Sequence, residues 1–163
     1  MPGSWQAWEF PNLKESDYQK TSDESEDYNC LAWAVHDNSK KWDPDELGQN
    51  YWPPGVPREV EIDAFRAAFR TKGFEDCNDG SLEDGIEKIA IYATSNGKPT
   101  HAARQLENGK WTSKLGDCED IEHETLDCLN GERNWFGRIQ CYGKAVGYMK
   151  RARPAKKVSP LIP

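Results

Sequence analysis

The stretch Tyr28-Asn29-Cys30-Leu31-Ala32-Trp33-Ala34-Val35-His36 constrains the fold more than any other part of the chain. Residues Cys30 to Val35 are all apolar or nearly so and follow an acidic, serine-containing run. That pattern suits a helix buried on most sides rather than one with a single apolar stripe. Asn29 is placed to cap it, with its side chain accepting from one of the first free amides, so that Cys30 takes the first helical position. A helix N-terminus favours thiolate over thiol, and the thiolate is the nucleophile. Cys30 is therefore a candidate nucleophile on a central helix, and its competing role is that of a small buried hydrophobe.

At 163 residues the chain reads as one domain, able to bury a core without disulfide or metal staples. Seven Trp, six Tyr and five Phe supply that core despite 30% charged residues. The net charge of −7 is uneven, because Lys150, Arg151, Arg153, Lys156 and Lys157 leave the rest of the chain at −12. An acidic body argues against nucleic acid as the partner. Cys30, Cys77, Cys118, Cys128 and Cys141 form no CxxC pair, so neither a zinc ribbon nor a thioredoxin-type motif is supported; Cys77 and Cys118 remain open as a bridge. No stretch is apolar enough to span a bilayer, and the first ten residues lack a signal-peptide pattern. The expectation is a cytoplasmic protein as synthesised, with export by a signal-independent route left open.

Residues 1–27 carry Trp5, Trp8 and Phe10 among polar residues, so this segment is expected to dock on a body that runs to residue 150; 151–163 read as a basic, proline-containing tail. Asp37-Asn38-Ser39 closes the central helix. From Lys41 to Pro57, Trp42, Tyr51, Trp52 and four prolines predict a rigid aromatic loop, either a wall of a cleft or a partner surface. A helix is expected over 57–71, stopped by Gly73. Asp76, Asp79, Glu83 and Asp84 lack the ligand order of an EF-hand loop, so no metal site is assigned. Strands are expected over 88–93, 100–106 and 111–115, the last two joined by Glu107-Asn108-Gly109-Lys110 as a hairpin. A helix is expected over 120–130, then strands over 138–142 and 145–149. Helices first and a mostly antiparallel sheet afterwards is an α+β order.

A cysteine nucleophile needs a base held in one tautomer by a third group. His36 falls six residues after Cys30 on another face of the same helix, and His123 falls among Glu122 and Glu124 on an expected exposed helix. His101, at the start of a strand beside the small residues Ala102 and Ala103, is the best candidate. A helix that begins at cysteine, followed by a histidine strand and a hairpin partner with a polar residue, resembles the papain-like cysteine hydrolases, in particular the NlpC-type endopeptidases. His101-Ala102-Ala103-Arg104-Gln105 through Trp111-Thr112-Ser113 can be laid on that pattern without a gap. The segments YNCLAWA, YWPPG, HAARQ and WTSKLG also look like an uncharacterised bacterial family.

The resemblance implies a papain-like α+β domain, its nucleophile helix packed on an antiparallel sheet. It implies an amide or peptide bond cleaved through a thioester: Cys30 attacks, His101 moves the proton, and Ser113 orients His101. A strict two-residue Asn108-Gly109 turn would instead put Lys114, or through a bulge Asp117, in the third position. Tyr28 or the Cys30 amide would stabilise the oxyanion, with Trp33, Gln105 and Lys114 toward the substrate, a peptide, isopeptide or peptidoglycan-like amide. No cofactor is implied. The alternative from another class is a non-catalytic protein-binding domain that uses the Trp/Pro-rich loop.

Overall fold

The run Ile86–Ala93 is buried at every position but its first. A strand without an alternating exposed face must sit inside a sheet covered on both sides. The computed structural model describes residues 10–131 and 142–154 and contains that sheet. Its strands are β1 (Tyr18–Ser22), β2 (Glu75–Cys77), β3 (Ile86–Ala93), β4 (Pro99–Gln105), β5 (Trp111–Lys114), β6 (Asp120–His123) and β7 (Lys144–Ala152). They form one antiparallel sheet in the order β1-β6-β5-β4-β3-β7-β2. Two short helices accompany it, α1 (Cys30–Ala34) and α2 (Ile62–Arg70).

Side chains alternate between the faces of a strand, and the two cores follow that alternation. On the helix face, Ile89, Ile91, Ala102 and Met149 pack with Leu31, Ala32 and Ala34 of α1 and with Ala64, Phe65, Ala68 and Phe69 of α2. Trp42 and Trp52 fill the same core. On the far face, Ala90, Tyr92, Ala103, Trp111 and Ile121 pack under Phe10, Leu13, Cys128 and Leu129. Each fully buried large side chain contributes about 1.5–3 kcal/mol by leaving water. Of the segment that precedes β1, Phe10 and Leu13 pack into this far-face core.

The fold class is a correction. The domain is β-rich: one open seven-stranded sheet with two short helices among the described residues, not a papain-like α+β arrangement. β1 precedes both helices, and α1 is five residues long. Asn29 does cap α1, accepting from the Ala32 amide at 3.2 Å. The helix then stops because His36 adopts a left-handed conformation, φ 65°. The 120–130 stretch, expected as a helix, holds β6 and a single 3-10 turn at Asp127–Leu129. Pairing with β5 and β1 overrides its helical spacing, since Ile121 and His123 then share one buried face. The acidic turn region includes β2, paired with β7. β7 runs to Ala152, two residues into the expected tail. The strand expected over 138–142 falls almost entirely outside the described residues.

The β4–β5 hairpin decides what faces what. Leu106 N donates to Lys110 O at 2.8 Å and Gly109 N to Leu106 O at 3.0 Å, so the loop is Glu107-Asn108-Gly109, with Gly109 at φ 87°. A three-residue loop with a left-handed glycine shifts the register by one relative to a two-residue turn. Arg104 pairs with Thr112 and Gln105 with Trp111. His101 and Ser113 therefore share a face, and Lys114 takes the other.

Candidate functional site

Cys30 and His101 are both close to β4 but on opposite sides of it. Cys30 opens α1, packs against the helix-face core, and has the Ala102 backbone amide directed at its sulfur. The next residue back, His101, points through the sheet to Tyr92, Tyr142 and Ser113. The two side chains are not brought together. Burial pushes the Cys30 thiol up to about 11, and the amides directed at it offset only part of that desolvation. A thiol in that range is protonated at neutral pH, and no imidazole adjoins it to take the proton.

His101 and Ser113 do meet, in a buried relay on the far face. His101 Nε2 lies 2.9 Å from Ser113 Oγ, Ser113 Oγ 2.8 Å from His123 Nε2, and His123 Nδ1 2.8 Å from Thr125 O. A carbonyl only accepts, so His123 carries its proton on Nδ1 and its Nε2 accepts from the serine hydroxyl. Ser113 in turn accepts from His101 Nε2–H. The bare His101 Nδ1 is buried without a partner. Desolvation holds both rings neutral: His101 is lowered well below the usual histidine value, with the His123 charge a second cause, and His123 is lowered to about 4. His101 also stacks flat on Tyr142 at 3.9 Å. Cys128 Sγ stands 3.6 Å from His123 Nδ1 and donates to Thr125 O at 3.0 Å. Its thiol is raised to about 11 by burial. His123, expected on an exposed helix, is completely buried.

The other expected site residues serve the fold. Tyr28 donates to Asp120 at 2.5 Å, and Ser22 also donates to that carboxylate. Lys114 Nζ is buried and donates to Ser25 O, Gly116 O and Cys118 O. Gln105 donates to Gly80 O at 2.8 Å. Asp117 pairs with Lys41 at 2.9 Å. Asp76 pairs with Arg66 and Arg70, while Asp79 and Glu83 hold Lys88, so these carboxylates carry cations from the protein itself. Among the described residues no group of histidine, cysteine and acidic side chains has the geometry to hold a metal ion. Cys77 and Cys118 are free; Cys77 ends the edge strand β2, and Cys118 lies in the turn after β5, four strands away or about 20 Å at the usual strand spacing. In the aromatic loop, Trp42 and Trp52 are core plugs, 1% and 5% exposed.

A polar cluster that the sequence reading did not select lies on the helix face. His36 Nε2 bonds Glu87 Oε2 at 2.8 Å, and Arg104 Nη1 lies against the His36 ring. Because Arg only donates, His36 accepts from it on Nδ1 and donates from Nε2 to Glu87. Arg151 reaches Glu87 Oε1 through Nε and Nη2 at 3.1 and 3.0 Å, and Arg153 stands 3.7 Å from Oε2. Burial by itself would raise Glu87; the His36 bond and the Arg151 charge outweigh it and hold the carboxyl below its ordinary value. Burial lowers Arg104 to about 10. Arg104 lies over the Trp33 ring at 5.0 Å, and Trp33 Nε1 donates to Thr112 Oγ1 at 2.9 Å. The signals were in the sequence: Glu87 and Arg104 are charges spaced two apart from Ile89 and Ala102 in strands otherwise apolar on that face, and His36 stands where a helix normally ends in glycine.

Fold and site together define a β-rich domain: a two-sided antiparallel sheet, a charged cluster at one face and an imidazole relay at the other. Its sequence from residue 19 to 150 matches a family described as a domain of unknown function, DUF7689, and the chain belongs to that family. No curated protein and no solved structure matches it. No helix among the described residues is long and apolar enough to cross a membrane.

Proposed function

We propose that this chain is a non-catalytic binding domain rather than a cysteine hydrolase. One observation carries the reading: the Cys30 sulfur and the His101 imidazole lie on opposite faces of β4. A nucleophile without a base in reach has no route to thiolate at neutral pH, and the second thiol–imidazole pair, Cys128 and His123, has its Nδ1 proton already committed to Thr125 O. Recognition is assigned to the helix face around Trp33 and His36, where partly exposed side chains sit on a rigid sheet, and not to the Trp/Pro loop, whose tryptophans are spent on the core.

The test is alkylation of Cys30 by iodoacetamide as a function of pH, followed by peptide mass spectrometry in the native protein and in His101→Ala. The binding reading expects slow labelling at pH 7 that is not slowed further by losing His101. Rapid labelling at neutral pH that collapses in His101→Ala overturns it and restores amide hydrolysis by a Cys30–His101 pair.

A further inference from the structure

Around Glu87 the protein assembles more positive charge than it needs. Arg104, Arg151 and Arg153 surround one buried carboxylate. Asp120, which also acts on Arg104, is offset by the adjacent Lys114. Arg104, Arg151 and Arg153 against Glu87 leave two positive charges among these four side chains, while Arg153 also borders Glu83, Asp84 and Glu107. Arg104 is only 6% exposed, yet its Nε donor has no partner. An unused guanidinium donor in a low-dielectric setting is costly, and it is what an arrangement lacking its acceptor looks like. The open side of the cluster is His36, whose side chain is 47% exposed.

His36 supplies an independent sign. Its backbone is left-handed at φ 65°, where glycine is cheapest, and its amide closes the helix by bonding Trp33 O at 3.1 Å. A non-glycine residue held there at a cost points to a use for the side chain. That side chain is the one that lies over Arg104 and is fixed by Glu87.

We propose that Arg104, His36 and Arg151 form a binding site for a doubly charged oxyanion of the phosphate-monoester type. The inference rests on the binding reading above and names the chemistry of its ligand. A dianion matches the excess of two charges, a guanidinium fork matches two of its oxygens, and Trp33 stacked on Arg104 keeps that fork in place. Glu87 tethers His36 and Arg151 from below, so the site is set before the ligand arrives.

The experiment is isothermal titration of the full chain at pH 7.5 with inorganic phosphate and, separately, glycerol phosphate, with acetate as the singly charged control. Saturable binding of phosphate or its ester, weaker at least tenfold in Arg104→Gln and with acetate, is the expected result. Stronger binding of the ester marks an esterified group as the fit, and stronger binding of the free ion marks free phosphate. His36→Gly relieves the left-handed backbone but gives up the bonds to Glu87 and Arg104; with its folding checked by thermal melting, it is expected to lose affinity. No saturable heat with either phosphate, or affinity unchanged in both Arg104→Gln and folded His36→Gly, overturns the proposal. That failure is separate from failure of the binding reading, which shows as fast, His101-dependent alkylation of Cys30.

Discussion

Acidification should weaken this fold well above the pH at which carboxylates protonate, and the relay on the far face sets by how much. His123 is held at about 4, against about 6.5 in an unfolded chain. The folded protein therefore keeps the ring neutral while the unfolded chain takes up a proton below about pH 6.5. The stabilisation is complete above that pH and is lost progressively as pH falls toward 4. At pH 5 the unfolded chain has gained about 2 kcal/mol from His123 alone. His101, lowered by its own burial and by His123, adds in the same direction. For a domain of this size 2 kcal/mol corresponds to about 4–8 °C in Tm. Carboxylates contribute little in this window, because Glu87 and Asp79 are held below their ordinary values and lose their stabilising charge only at lower pH. The assay is urea denaturation followed by tryptophan fluorescence at pH 7.5, 6.5, 5.5 and 5.0, in the parent and in His123→Gln. The variant should be less stable at pH 7.5 and lose less between 6.5 and 5.0. Equal midpoints for the parent across that range, or an equal slope in His123→Gln, would refute the assignment of a buried neutral relay.

Two structural predictions accompany it. Ser113→Ala removes the hydroxyl between the imidazoles and leaves His101 Nε2–H without an acceptor and His123 Nε2 without a donor; a loss of about 1–3 kcal/mol in urea stability at pH 7.5 is expected. Gly143→Ala would set a Cβ 1.9 Å from the Ala93 carbonyl oxygen at a backbone φ of 80°, so the β3–β7 end must shift; the strained conformation by itself costs about 1–3 kcal/mol, read as a lowered thermal midpoint.

Much of the local structure was legible in the chain. Asn29 before an apolar run marked the start of α1, the β-rich run Lys88–Ala93 marked a strand, and Asn108-Gly109 marked a hairpin. The loop length was not legible, because Asn-Gly serves both a two-residue turn and a three-residue loop with left-handed glycine. That one-residue difference chose Ser113 over Lys114 as the partner of His101. The spacing of Ile121, Thr125, Cys128 and Leu129 suited a helix, yet two neighbouring strands with open hydrogen-bonding edges claimed residues 120–123 first.

The candidate site divides along the same line. The sequence by itself determined which residue types were available: a thiol at a helix start, an imidazole beside small residues in a strand, and charges inside otherwise apolar strands. Only the tertiary structure decided on which side of the sheet each of them stands. Adjacent residues of a strand point to opposite faces, so the single step from Ala102 to His101 separates Cys30 from the imidazole it was expected to meet. The same alternation, fixed by register across β3, β4 and β7, gathers Glu87, Arg104 and Arg151 from distant parts of the chain under His36. Side-chain type is a local property, but facing is set by strand pairing over the whole sheet.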